Sequence, residues 1–484
     1  MTSGSHLISA PEQPRTRPAA RRRRERLMVT ASLLAMTGLA VTGLVDTLDH
    51  EAHAAARTAV IPPAAPIHAA SASASVSVTV ATAASSAVGS GTTSQQRAQL
   101  TQLARELVAA GAPGVVVRVD DGHGRPLEIT EQAPWTRPDH RLRAGDEFRM
   151  GSSTKTVMAT LVLQLVGEGK LALTDPVDTW LPGQIPNGRA ITLRMLLNHT
   201  SGLVDYTEDP AILPSIMGKD QRRWTSEQLL ALGVRHDPTF PPGSSWSYSN
   251  TNYAAIGAVL EKATGKGLAD LVRDRIARPL HLEHTYYATD SAWHGPHAHG
   301  YEPDAAHMPP DVPAGFRDYA GAHRDGHVDV SDNNPSWGGA AGAMVSTAYD
   351  WSRFYSALMS GKLLPAAQLA EMRTTVPIFP DQPDGPGYGL GIQTSATPCG
   401  TVWAHDGGIP GYLSVTVTDP TGRRTANVLV VTEAFAEHPD AFPELAKAAK
   451  TLQTATVCAM FDKPAPPAAP TAAPPAAPPA DPTR

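Results

Sequence analysis

The sequence predicts an α+β fold: an antiparallel β-sheet flanked by helices, joined to a mostly helical lobe. Three observations carry that expectation. Strand-like runs sit near both ends of the central part of the chain, at 114–119 and at 412–418 with 427–432. Between them, from about 153 to 385, helical and loop patterns dominate. The two outer parts of the 484-residue chain have compositions that build no core.

Taken in order, residues 1–56 read as a signal peptide or an N-terminal membrane anchor. Arg21 to Arg24 and Arg26 form a basic flank, Met28 to Val45 is apolar and uncharged, and Ala52-His53-Ala54 offers a small-x-small cleavage site. The apolar run is about 18 residues, the lower edge for a membrane span. With either outcome the basic flank stays inside and the rest is exported. The expected location is secreted or cell-envelope, with membrane contact only through this segment if it is uncleaved. Residues 57–98 are rich in Ala, Ser, Thr and Pro and lack acids, as in a flexible linker; a stray strand over Ser71–Ala81 is the one alternative. Residues 463–484 are mostly Pro and Ala, a semi-extended tail. The folded domain is therefore expected over 99–462, long enough to bury a sizeable interior.

That domain opens with an amphipathic helix over 99–108, followed by a strand over 114–119. Tyr412 to Thr418 alternates like a strand, Asp419-Pro420-Thr421-Gly422 turns the chain, and Asn427 to Thr432 returns it, giving a hairpin. A helix near 439–456 closes the domain. Seven arginines and five acids in residues 1–56 leave −8 of the formal −6 to the rest, so no basic stripe remains to attract nucleic acid.

Three short motifs carry the chemistry. Ser152-Ser153-Thr154-Lys155 has the S-x-x-K form, which puts Ser152 and Lys155 on one face of a helix that is apolar almost all round from Thr156 to Val166. A serine hydroxyl needs a base to become a nucleophile, and a desolvated lysine can lose its proton and serve as one. Tyr248-Ser249-Asn250 follows the turn-rich stretch Pro241–Ser247 and precedes a helical run, so Tyr248 and Asn250 sit where polar groups converge on a site. His405-Asp406-Gly407-Gly408 precedes the hairpin, where glycine lets a substrate approach the strand backbone. Backbone N–H groups there and at Ser152 can form an oxyanion hole. Read singly, each motif also fits a plain cap, turn or edge strand. His294, His297, His299 and His307 share one Pro/Gly-rich loop without a compact H-x-x-x-H pair, so no metal and no cofactor is expected.

With these motifs placed, the chain resembles the serine β-lactamase and penicillin-binding superfamily. It is most similar to the branch of class C β-lactamases, family VIII esterases and secreted actinobacterial D-alanyl-D-alanine carboxypeptidases. Met195–Leu203, Tyr248–Tyr253, Ala340–Thr347 and Tyr388–Gly391 extend the likeness over about 99–462. The resemblance implies that Ser152 is acylated, that Lys155 and Tyr248 share the proton transfers, and that Asn250 holds the substrate's acyl-side amide. It implies that His405 and Gly407 belong to the substrate-binding strand, that Ser152 and Gly408 donate the oxyanion N–H groups, and that Trp337 lines the pocket. The implied substrate is a small molecule or peptide with an amide or ester carbonyl, peptidoglycan among the candidates.

The carboxypeptidase form of the third motif is His-Thr-Gly-Thr, whereas this chain has Asp406 and Gly408 at the hydroxyl positions and no basic residue over Gly391–Thr397, including Gln393. An added acid and a missing base both disfavour an anionic substrate end. Carboxypeptidase, esterase and β-lactamase turnover therefore compete, with a non-catalytic cell-wall binding protein as the alternative of another class. The two cysteines, Cys399 and Cys458, suggest one disulfide in an exported protein, a pairing the resembling branch also has; two buried free thiols are the alternative.

Overall fold

The computed structural model describes residues 93–466 except 311, 313, 380, 381, 383 and 384. The expected leader, the linker as far as residue 92 and the strand over Ser71–Ala81 lie outside the described residues. The domain begins at helix α1 (Ser94–Ala109), ahead of the boundary expected at 99. The cause is a capping box: the Thr93 side chain accepts from the Gln96 backbone N–H, and the Gln96 side chain accepts from the Thr93 N–H. These are polar residues, which the linker composition concealed.

One antiparallel sheet of nine strands forms from the two ends of the domain. Its members are β1 (Gly114–Asp120), β2 (Leu127–Gln132), β3 (Val376–Pro377), β4 (Gly387–Tyr388), β5 (Gln393–Thr397), β6 (Gly400–Ala404), β7 (Gly407–Ile409), β8 (Tyr412–Thr418) and β9 (Thr425–Val430). They run in the order β2-β1-β9-β8-β6-β5-β4-β3, with β7 paired to β8. The first and last long segments meet in the middle, where Val115 stands opposite Val430 and Val117 opposite Val428. Alternation along β1 serves both faces. Val115, Val117 and Val119 pack with Leu100, Leu107 and Leu452 beneath α1 and the C-terminal helix Pro443–Met460. Val116 faces the other core, shared with the helical lobe.

In that second core lies helix α2 (Thr154–Gly167), with Val157, Met158, Leu161, Val162 and Leu163 all buried. Each such side chain contributes about 1.5–3 kcal/mol by leaving water. Helix α3 (Asn250–Thr264) packs beside it and is buried from Thr251 to Leu260. Among the described residues no helix is long and apolar enough to cross a membrane.

Cys399, in the turn between β5 and β6, meets Cys458 of the C-terminal helix with Cα atoms 5.1 Å apart and their sulfurs within bonding distance. The bond would close a span of 59 residues. In the chain-entropy description such a loop stabilises by about 4 kcal/mol, often less in practice. Thiol titration of the unfolded, unreduced protein should therefore find no free cysteine, and Cys458→Ser should lower the unfolding free energy by about 2–4 kcal/mol. Two titrating thiols would contradict the bond.

Candidate active site

Ser152 sits in the single 3-10 turn Gly151–Ser153 that leads into α2, half-buried, and lines a cavity. One turn on, the Lys155 side chain is fully buried. Its Nζ lies 3.1 Å from Ser152 Oγ, 2.7 Å from Asn250 Oδ1 and 2.9 Å from the Ala341 carbonyl. An ammonium offers three N–H donors to these three groups. The neutral amine offers two, for Asn250 and Ala341, and turns its lone pair to the Ser152 O–H. Burial lowers the Lys155 pKa to about 7, while Asp205 and Asp406 pull it back up. The neutral form is thus accessible near neutrality, and it is the form that can take the serine proton.

Tyr248, half-buried, presents its ring 4.7 Å from Lys155 Nζ. Burial pushes its phenol pKa well above 10, and the nearby Ser152 hydroxyl only partly reverses this. Of the two candidate bases, then, the lysine gives up its proton readily and the phenol holds on to it. Asn250 opens α3 and is clamped by Asp205, whose Oδ2 accepts from both the Asn250 backbone N–H (3.0 Å) and Nδ2 (2.9 Å). Lys155, Tyr248 and Asn250 therefore converge on Ser152 from separate elements.

The oxyanion geometry is set by glycine. A Cβ on Gly151, whose φ is +49°, would stand 2.9 Å from the Gly408 nitrogen and 2.6 Å from its carbonyl oxygen. A Cβ on Gly407 would stand 1.9 Å from the Met150 carbonyl and 2.8 Å from the Ser152 nitrogen. Only hydrogen fits at both places, so β7 lies backbone to backbone against the Ser152 turn. That brings the Ser152 and Gly408 amides to one small region. Gly407 acts through this seam and does not line the cavity wall.

His405 and Asp406 are placed differently from expectation. His405 is 1% exposed and stands behind the cavity. Its Nδ1–H donates to the Asp406 carbonyl (2.6 Å), and its Nε2 accepts from Tyr388 O–H (2.9 Å). Tyr388 in turn accepts from His199 Nε2–H (3.1 Å), and His199 Nδ1 accepts from the Ser249 backbone N–H (3.2 Å). The tautomers follow from this network. Burial and the Lys155 charge hold His405 down at about 3 and His199 well below its usual range, so both rings stay neutral. Side-chain contact with substrate, expected of His405, is replaced by a brace joining the second and third motifs. Asp406 is likewise 3% exposed, with Oδ2 lacking a hydrogen-bond partner and a pKa raised to about 7 by burial. It does not line the cavity, so it is not the acid that a substrate's free end meets.

The cavity is open to solvent and has a volume of about 180 Å³. Trp337 lines it, as expected, with Ile216, Phe316, Tyr319 and Ile409. Its carboxyl and imidazole side chains are those of Glu433, Glu437 and His438; among the described lining residues there is no lysine or arginine. Glu433 and Asp205 stand outside both the three motifs and the stretches that carry the resemblance, whereas His199, Ala341 and Tyr388 lie within those stretches, in Met195–Leu203, Ala340–Thr347 and Tyr388–Gly391. Glu433 lay just beyond the last strand, with no sequence pattern around it.

A family model described as Beta-lactamase matches residues 100–450. The D-stereospecific amidohydrolase from Streptomyces sp. superimposes with a TM-score of 0.62 and 38% identity, over 72% of this chain and 97% of that one. The D-amino acid amidase from Ochrobactrum anthropi SV3 gives 0.61 and 27%, over 72% and 96%. The Putative penicillin-binding protein PbpX of Bacillus subtilis is 30% identical over 230 residues, 47% of this chain. The match spans 50% of that protein's length.

The Asp406 carboxylate favours the charged form of Lys155, so replacing it with a neutral side chain should lower the lysine pKa. In Asp406→Asn the acid limb of the kcat/KM profile, expected near 7 in wild type, should move to lower pH by about half a unit or more. A limb that stays in place would mean that the lysine does not set it.

Proposed function

Because this chain belongs to the beta-lactamase family, whose members are serine acyl-transfer hydrolases, we propose that it hydrolyses neutral amides or esters through an acyl-enzyme on Ser152. Lys155, as the neutral amine, takes the Ser152 proton while Oγ attacks the carbonyl carbon. The carbonyl oxygen becomes an oxyanion held by the Ser152 and Gly408 N–H groups. The tetrahedral intermediate collapses, the C–N or C–O bond breaks, and the leaving amine or alcohol receives a proton from Tyr248, which Lys155 restores. Water then attacks the acyl-enzyme, releasing the acid and Ser152.

The observation that carries the choice of substrate is the charge of the cavity beside Ser152, lined by Glu433 and Glu437 with no lysine or arginine among its described residues. A free carboxylate brought there gives up water without a lysine or arginine to pair with, a cost that an uncharged amide or ester does not meet. Peptides ending in free D-alanine are therefore poor candidates, and uncharged amides and esters are better ones. Similarity to the D-stereospecific amidohydrolase and to the D-amino acid amidase supports an amide of a D-amino acid as the first substrate to try. Export follows as a proposal from the basic and apolar stretches at 21–45, and the Cys399–Cys458 geometry supports it.

The test is kcat/KM for a D-Ala-D-Ala peptide beside its C-terminal amide and methyl ester. The neutral forms should be better substrates by about tenfold, the equivalent of about 1.4 kcal/mol. Preference for the free carboxylate would replace this reading with carboxypeptidase activity.

A further inference from the structure

Beside Gly408 stands a carboxylate that no step above uses. Glu433 is 7% exposed, lines the cavity, and has no hydrogen-bond partner for its side chain among the described residues. Its place is set by a second acid. Glu302, fully buried, accepts from the backbone N–H groups of Gly411 (2.7 Å), Glu433 (2.9 Å) and Ala434 (3.2 Å) and from the Thr432 hydroxyl (3.3 Å). Three of those contacts pin the segment after β9 and the fourth ties it to the turn after β7, which holds Glu433 over β7.

The distance to the reacting centre is short. Glu433 Oε2 lies 2.5 Å from the point that a Cβ on Gly408 would occupy, and Glu437 Oε1 lies 3.7 Å from it. Adding one carbon–carbon bond of about 1.5 Å puts Oε2 within about 4 Å of Gly408 Cα. An oxyanion on the Gly408 N–H sits about 2.9 Å from that nitrogen. A donor joined to the carbonyl carbon through a single atom spans the remaining gap with one charge-assisted hydrogen bond of about 2.8 Å. A donor at the end of a long side chain would overshoot.

The electrostatics ask for a cation. Burial and the neighbouring Glu437 and Glu302 carboxyls drive the Glu433 pKa well above its usual value. A buried acid in that state ionises when a positive group arrives to pair with it. A metal ion is a poor occupant, since no group of three or more His, Cys, Asp or Glu among the described residues has the geometry to hold one. A compact ammonium needs only the one carboxylate.

We propose that Glu433 is the specificity-determining residue of this site, and that it binds the free α-ammonium group of an amino-acid amide or ester whose carbonyl lies in the Ser152–Gly408 oxyanion hole. This rests on the amide and ester reading above. It adds that the amino group must be unblocked, which separates such substrates from N-acylated peptides. An N-acetyl group removes the charge and leaves Glu433 without its partner.

The test compares kcat/KM for D-alanine p-nitroanilide with that for its N-acetyl derivative, in the full chain and in Glu433→Gln and Glu433→Asp. Wild type should favour the free amine by about tenfold or more, as expected for a hydrogen bond between charged groups. Glu433→Gln should reduce that ratio to about threefold or less, mainly through a higher KM for the amine. Glu433→Asp, which keeps the charge, should fall between, and it decides the matter if the glutamine variant does not fold. A wild-type ratio of one or below, or a ratio unchanged by either variant, would overturn the assignment while leaving the hydrolase reading intact. Failure of wild type to cleave either anilide or a p-nitrophenyl ester would overturn the hydrolase reading itself, and the assignment with it.

Discussion

The arrangement depends on one buried amine. Lys155 has zero exposure, with the rings of Tyr248 and Tyr253 beside its Nζ and acceptors drawn from three separate places: Ser152 on the turn before α2, Asn250 at the start of α3 and the Ala341 carbonyl. Desolvation is the largest influence on its pKa and brings it to about 7. Were the pocket wetter, the lysine would be an ordinary ammonium and Ser152 would have no base. Were it drier, without Asp205 and Asp406, the amine would lose its proton too completely to return one to the leaving group through Tyr248.

Around this amine the parts of the site are fastened by one backbone seam and one chain of side-chain hydrogen bonds. The glycine seam of Gly151 and Gly407 lets β7 touch the Ser152 turn, so the oxyanion donors belong to one rigid unit. Behind it, the chain of hydrogen bonds from Ser249 through His199, Tyr388 and His405 ties the second motif to the third. The ring of Tyr248 rests 4.4 Å from that of His199, so the same brace orients the phenol. Neutral imidazoles suit this place, because a charged ring beside Lys155 would repel the proton that the lysine must accept.

Much of this was legible in the sequence, for reasons that differ by residue. The α+β class, the hairpin of β8 and β9 and the buried α2 follow from hydrophobic period and turn chemistry, which are local. Ser152, Lys155, Tyr248 and Asn250 were readable because each motif sits at an element boundary whose direction is predictable. The side-chain directions of His405 and Asp406 were not, because the ladder breaks between β6 and β7 and the alternation that would aim them is lost there. The partners Asp205 and Glu433 are set by long-range packing. Asp205 is 45 residues from Asn250, and Glu302, which places Glu433, is 131 residues from it. The early start of α1 was hidden because its cap is polar and lies in a stretch of linker-like composition.

The mechanism turns on a covalent bond that Ser152 forms when a lysine base takes its proton, and intact-mass spectrometry observes that bond directly. Quenching the full chain within its first turnover on a p-nitrophenyl ester should show one added acyl group. Peptide mapping should place it on Ser152, and Ser152→Ala should show none. Lys155→Ala should slow the adduct's appearance by about a hundredfold or more, as loss of a general base does. An acyl group on another residue, or one that forms as fast without Lys155, would contradict the account.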